Sequence, residues 1–231
     1  MKKCAIMQPT YLPWAGYFNL MNQVDCFVFL DDVQFERRSW QNRNRILLNG
    51  REHLLTVPVV KVDRSTPINQ IKICNETNWR FDHWKTLMTA YKKAPYGTEM
   101  LELLEKYYNT DSLDLQFLSE FNQSIIRALA TSLGIGCQFL RASYLGCKGK
   151  RTTHLIAICE AVGASIYVTS CGAVNYLKED GFSAQTPIEL WFQDYLPKPY
   201  PQRKVVEFVS HLSIVDVIAH IGIEMTKSYV C

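Results

Sequence analysis

The chain has 231 residues, 48% hydrophobic and 20% charged, a balance that supports a large buried core and excludes an intrinsically disordered polypeptide. Its 25 basic and 22 acidic residues leave a net charge of only +3, spread along the whole length, which argues against a polyanion-binding surface and so against nucleic acid as a partner. No run of eighteen apolar residues occurs, which excludes a membrane-spanning helix, and Gln8 and Pro9 interrupt the apolar run behind Lys2 and Lys3 before a signal-peptide core forms, so a cytoplasmic protein is expected.

Residues 4–7 read as a short buried strand ended by Gln8, Pro9 and Thr10. Trp14, Tyr17, Phe18, Leu20, Met21 and Val24 then recur at helical spacing, and residues 26–30 form a second apolar run closed by Asp31 and Asp32. Strand, helix and strand within this distance make a parallel βαβ unit. Asn49 and Gly50, a pair suited to positive φ, separate two extended segments at 45–48 and 52–60 and predict a hairpin. Ile68, Gln70, Ile71 and Ile73 predict a further strand over 68–73.

The pattern then becomes helical. A helix is predicted over 79–94 and stopped by Pro95, with others over 98–108, 112–133 and 152–162, the last two ended by Gly134 and Gly163. Short strands are expected at 138–140 and 165–168, and a final helix at 210–221. The expected fold is α/β: a mostly parallel Rossmann-like sheet covered by helices, with a β-hairpin insertion and a largely helical C-terminal half. Residues 1–231 read as a single domain with a helical subdomain over 79–133. The eight cysteines stand singly with no CxxC pair, so reduced thiols are expected and no metal ligands are assigned.

In open α/β sheets ligands gather beyond the carboxyl ends of the strands. After the first strand, the loop holding Gln8, Tyr11 and Trp14 leads into a helix N-terminus suited to an anion, with Tyr17 one turn on. After the second, Asp31 and Asp32 suit a magnesium ion, a pair of sugar hydroxyls or a capping role. Asn42, Arg43 and Arg45 follow, with the two arginines on one face of an extended strand, as a bidentate phosphate grip needs, although a solvated strand edge has the same composition. His83, beside Asp82 and two residues before Lys85, is a candidate general base because imidazole titrates near neutrality. Ser170, Cys171 and Gly172 close the strand at 165–168 and lead to Tyr176. The P-loop, GxGxxG, GxSxG and HExxH signatures are all missing.

At these loops the chain resembles the WbqC-like protein family. The residues that carry the likeness are Ile6-Met7-Gln8-Pro9-Thr10-Tyr11-Leu12-Pro13-Trp14-Ala15-Gly16-Tyr17-Phe18, Asp31-Asp32-Val33-Gln34, Gln41-Asn42-Arg43-Asn44-Arg45-Ile46 and His83-Trp84-Lys85. Further matches are the segment from Tyr91 to Pro95, Gly163 to Tyr167, Ser170, Asn175-Tyr176-Leu177, Pro199-Tyr200-Pro201-Gln202 and Leu212-Ser213-Ile214-Val215-Asp216. The resemblance implies a role in bacterial surface polysaccharide (O-antigen) biosynthesis, beside enzymes that make nucleotide-linked amino sugars.

On that footing the leading expectation is transfer of a small acyl or aminoacyl group to the amine of a nucleotide-linked amino sugar. His83 and Asp32 are the expected catalytic pair. Arg43 and Arg45 would grip the diphosphate, and Trp14 or Tyr11 would stack on a ring. Gln8, Tyr17, Asp31, Asn42, Lys85, Tyr91, Ser170, Tyr176, Tyr200 and Gln202 complete the expected substrate-binding set. No tightly bound cofactor is expected, with an acyl donor or ATP as co-substrate, and self-association into a homo-oligomer stays open. Two alternatives stand beside this reading. One is an ATP-dependent adenylate-forming ligase, since Trp14-Ala15-Gly16-Tyr17 has the glycine placement of a nucleotidylyltransferase HxGH motif without its histidines. The other is a non-catalytic protein that binds a sugar nucleotide or organises an assembly complex.

Overall fold

The structure, a computed structural model, describes residues 1–109 and 115–231. Strand β1 (Lys3–Met7) leads through helix α1 (Ala15–Asn22) to β2 (Cys26–Phe29), and the two strands pair in parallel with Cys4 opposite Cys26. The hairpin β3 (Arg43–Leu48) and β4 (Arg51–Thr56) follows, turning at Asn49 and Gly50 with φ of 53° and 78°, the left-handed geometry that an Asn-Gly pair accepts at little cost. Next come α2 (Trp79–Tyr91), α3 (Gly97–Tyr108) and α4 (Leu118–Ser132). Strand β5 (Gln138–Arg141) runs into the short α5 (Ala142–Leu145), then α6 (Thr152–Ala161) and β6 (Ile166–Thr169). Helices α7 (Val174–Glu179) and α8 (Phe182–Gln185), β7 (Glu189–Phe192) and α9 (Ile214–Tyr229) complete the order.

Among the described residues, five strands form one parallel sheet in the order β5-β2-β1-β6-β7. Strand alternation divides its side chains between two cores. Ala5, Phe27, Phe29, Ile166 and Val168 face the core made with α1, α2, α3, α4 and α9. Cys4, Ile6, Cys26, Val28 and Tyr167 face the opposite core, closed by Leu155, Ile158, Leu177 and Phe182. Burial on both faces explains why these strands read as continuous apolar runs rather than alternating ones.

The connections fix where a ligand can enter. Helix α1, on the way from β1 to β2, packs on one face of the sheet, whereas α6, on the way from β5 to β6, packs on the other. Strands β2 and β6 flank β1, so the chain departs in opposite senses on its two sides. Neighbouring crossovers that leave on opposite faces open a crevice beyond the carboxyl ends of β1 and β6.

Three sequence expectations are corrected. Residues 68–73 form a 3-10 turn, Ile68–Gln70, followed by isolated bridges from Lys72 to Phe117 and from Ile73 to Val59, because the backbone bonds of this stretch are divided among separate segments. The strand β7, half-exposed at the sheet edge, has no apolar alternation strong enough to predict it. Helix α9 starts later and runs further than expected, broken at Gly222, whose φ of 76° and ψ of 167° no helical residue adopts. Of the helix predicted over 112–133, residues 112–114 lie outside the described residues. All eight cysteines are free thiols, and among the described residues no helix is long and apolar enough to cross a membrane.

Candidate functional site

At the crevice lies an open cavity of about 680 Å³. The loop after β1 contributes Gln8 and Thr10, the 30s loop Glu36 and Trp40, the start of α6 Arg151 and His154, and the segment after β6 Ser170 and Tyr176. A smaller lobe of about 260 Å³ is lined by Trp14, Tyr17, Arg45 and His211. Both lobes are lined by Met7, Thr10 and Trp40, so they form one bipartite site. The larger lobe, termed the polar lobe, sets Gln8, Glu36, Arg151, His154 and Ser170 into a wall that is otherwise largely apolar. The other presents two indole rings, and the Arg45 guanidinium lies 5.5 Å from the Trp40 ring centroid.

Among the described residues, the polar lobe holds one His–carboxylate pair. His154 Nε2 lies 3.2 Å and 3.1 Å from the two carboxylate oxygens of Asp32. A carboxylate facing Nε2 favours the tautomer that carries its hydrogen there, leaving a lone pair on Nδ1. That Nδ1 is buried without a hydrogen-bond partner, and so are Thr10 Oγ1 and Arg45 Nε. Buried polar atoms are nearly always paired, and leaving one unpaired costs about 1–3 kcal/mol. Three of the six such atoms among the described residues belong to residues lining the two joined lobes, the others being Asn42 Oδ1, Asn69 Oδ1 and Asn122 Oδ1.

Side-chain amides shape the loop after β1. Asn122, fully buried on α4, donates Nδ2–H bonds to the carbonyls of Pro9 at 3.0 Å and Gln41 at 2.7 Å. Asn44 does the same for Tyr11 and Leu12, Gln41 Nε2 donates to Gln8 Oε1, and the Tyr17 hydroxyl donates to the Gln8 carbonyl. Leu12 is thereby held at a φ of 42°, a conformation rare for leucine. Asn122→Ala would strip two buried carbonyls of their partner, so we expect a loss of about 2–5 kcal/mol and a melting temperature lower by roughly 5 °C or more, read by calorimetry. A melting point unchanged from wild type would show that the amide does not hold the loop.

The expected site residues divide into separate groups. Gln8, Ser170 and Tyr176 line the polar lobe, with Asp32 bonded to its His154, while Trp14, Tyr17 and Arg45 line the aromatic lobe. Arg45 pairs with Glu52 at 3.1 Å, whereas Arg43 lines neither lobe. The set of site residues expected from sequence is therefore corrected at several positions. His83 and Tyr11 are buried in an aromatic cluster with Trp79, Tyr108 and Phe121, where the Tyr11 hydroxyl meets His83 Nδ1 at 2.9 Å. Burial pushes the His83 pKa down to about 4, outweighing a hydrogen bond to the Thr56 backbone.

The remaining expected residues have other surroundings. Asp31 is buried and accepts from the backbone N–H and hydroxyl of Ser143, both at 3.0 Å, tying the end of β2 to α5. Asn42 is buried and donates to the Val57 carbonyl. Tyr91, Tyr200 and Gln202 converge on the buried Asp216 of α9, the two hydroxyls donating to its carboxylate at 2.9 Å and 2.6 Å and the amide at 3.3 Å. Burial is the main cause that raises the Asp216 pKa above its ordinary value. Lys85 lines a third cavity altogether.

His154 and Arg151, together with Thr10, Glu36, Trp40 and His211, are lining residues missing from the set expected from sequence. Arg151 pairs with Asp180 at 3.0 Å and takes a φ of 52°, turning the chain into α6. A signal was present in the glycine-containing basic run Gly146-Cys147-Lys148-Gly149-Lys150-Arg151 immediately before a predicted helix, which marks a loop at the end of a strand. The acid that partners His154 lies 122 residues away, so no local pattern identifies the pair.

A model of the WbqC-like protein family matches residues 8–228. Rv1507c, a Mycobacterium tuberculosis (strain ATCC 25618 / H37Rv) protein described as uncharacterized, is 31% identical over 226 residues, covering 97% of this chain and 96% of its own length. No solved structure matches the chain.

Proposed function

The chain belongs to the WbqC-like protein family, and on that premise we propose that it is a cytoplasmic enzyme transferring a small acyl or aminoacyl group to the amine of a nucleotide-linked amino sugar for surface polysaccharide. The observation that carries this reading is the His154–Asp32 pair in a bipartite cavity whose lining keeps three buried polar atoms unpartnered. The aromatic lobe suits a nucleobase, which stacks between or against the Trp14 and Trp40 rings. The polar lobe suits a sugar, and Glu36 on its wall offers a carboxylate to an amino group.

In the step we infer, the sugar amine attacks the carbonyl carbon of an acyl thioester. A C–N bond forms as the C–S bond breaks, and, once ligand entry has uncovered the buried His154 Nδ1, the amine proton passes to it and then to the leaving thiolate. Asp32 acts as a positioning residue, fixing the imidazole orientation and stabilising the imidazolium as it forms. Its hydrogen bonds to Nε2 hold the ring with Nδ1 as the basic atom.

The test is incubation of the purified protein with amino-sugar nucleotides and acyl or aminoacyl thioesters, read by mass spectrometry. Acylated product formed from the amino sugar, and not from its hydroxyl counterpart, is the expected result. Saturable sugar-nucleotide binding with no product from any donor would leave a binding protein in place of an enzyme. Acid-dependent exchange of pyrophosphate into ATP would replace the transfer reaction with adenylate formation. Melting curves give an independent first reading, since a ligand at a hundred times its Kd stabilises the native state by about 2.7 kcal/mol.

A further inference from the structure

A third cavity, of about 470 Å³, lies away from the bipartite site, between α2, the turn of the β3–β4 hairpin and the 203–204 segment that packs on α9. We propose that it is a second ligand site, one that takes a small molecule through a diphosphate group. This inference goes beyond the acyl-transfer reading and stands on this cavity alone.

Its wall carries Lys85 from α2, Lys92 and Lys93 just past the end of that helix, and Arg203 and Lys204 from the opposite side, with no acidic residue among the lining positions. Among the described residues none of these five forms an ion pair. Like charges gathered in a concavity repel one another and focus a positive potential there, an arrangement that an anion relieves. Compensation of the α2 dipole accounts for Lys92 and Lys93 at its C-terminal end, where cations are favoured. It does not account for Lys85 two turns earlier, nor for Arg203 and Lys204 on a different segment.

The backbone brings these two sides together deliberately. Gly50 lies against the Lys204 carbonyl so closely that no side chain fits at position 50, and Lys204 itself sits at a φ of 61°. The Lys204 ammonium bonds Asn49 Oδ1 at 3.1 Å, which anchors the segment to the hairpin turn. From below, His220 Nδ1–H donates to the Asp216 carbonyl at 2.7 Å and Nε2 accepts the Arg203 N–H at 3.3 Å. Asp216 in turn binds Tyr91, Tyr200 and Gln202. The segments 91–95, 199–202 and 212–216, which carried much of the sequence resemblance and line neither lobe of the bipartite site, thus build the support of the basic cavity.

The chemistry of the wall selects the ligand. Lysines act as point charges and an arginine offers a planar fork, a combination suited to adjacent phosphates. The remaining wall is largely aliphatic at Leu47, Met88 and Ala90, and the His220 imidazole on it has both nitrogens bonded to backbone, so the phosphates rather than a stacked base supply the recognition. A concavity of this volume fits a small molecule better than the flatter face of a macromolecule.

The experiment is titration calorimetry of the full chain with inorganic pyrophosphate, then with a nucleoside diphosphate and a lipid-linked diphosphate to distinguish the sources. Expected are saturable pyrophosphate binding, weakening with salt, and a rise in Kd of about tenfold or more in both Lys85→Gln/Lys93→Gln and Arg203→Ala. These side chains are removed from solvent-facing or half-buried positions, and matching circular dichroism spectra verify the fold of each variant. Arg45→Ala and His154→Ala, which alter the bipartite site, should leave this Kd unchanged. Absence of saturable binding overturns the proposal. So does binding that only the bipartite-site variants weaken, or binding that the Lys85/Lys93 and Arg203 variants leave intact.

Discussion

His154→Ala is expected to lower kcat for acyl transfer by about a hundredfold or more, the usual contribution of a positioned general base, while the protein stays folded and sugar-nucleotide affinity changes little. The ring stands at the cavity with Nε2 held by Asp32 and Nδ1 unpartnered, so removing it takes away a proton acceptor rather than a structural bond to the backbone. Asp32→Asn gives the companion result. An asparagine still reaches Nε2 but can present an amide N–H to it, which favours the tautomer with hydrogen on Nδ1 and so removes the basic lone pair; the loss should approach that of His154→Ala. The double variant should then be no worse than the poorer single one, because the two residues act as one unit. Full activity in His154→Ala, measured per folded molecule, would sink the assignment of this pair. The corresponding control is His83→Gln, expected to lower stability while keeping kcat.

The second large effect is the pH dependence that His83 gives to stability. Its folded pKa of about 4 lies below the ordinary value of 6.5 because burial disfavours the imidazolium. As pH falls below 6.5 the unfolded chain takes up a proton that the folded ring refuses, so the stability held by the neutral ring is complete above 6.5 and lost progressively toward pH 4. At 1.36 kcal/mol per pKa unit the loss reaches about 3 kcal/mol, and below the folded pKa it levels off. Asp216 acts in the opposite sense. Its raised pKa contributes stability that is complete below the ordinary 3.8 and is lost as pH rises through the folded value. Urea denaturation of wild type and His83→Gln across pH 4 to 7 isolates the first effect, since everything else is common to both. The difference in unfolding free energy should shrink as the pH falls, and curves that stay parallel would contradict a neutral buried imidazole.

What was readable in the sequence follows from how far each signal reaches. The first βαβ unit and the Asn49-Gly50 hairpin are specified within a few residues, by period, by turn chemistry and by chain breaks, and the structure has them with small shifts at their ends. The loop after β1 was identifiable as a ligand-binding position because the end of a parallel strand is one in any such sheet. Even the burial of His83 had a local sign: it stands four residues after Trp79 and four before Leu87, on the apolar stripe of α2. Asp82 beside it drew the reading toward catalysis instead.

The sequence by itself determined the fold class, the family resemblance and most of the longer elements, because each depends on residues close together in the chain. Only the tertiary structure decided which imidazole meets which carboxylate, which arginine lines a cavity, and that Tyr11, Tyr91 and Asp31 serve the interior. Those outcomes depend on the strand order β5-β2-β1-β6-β7 and on the sheet faces that the crossover helices take. Asp32 and His154 become neighbours because β2 and β6 flank the same strand while α6 returns across the face opposite α1, a relation between segments that share no local pattern.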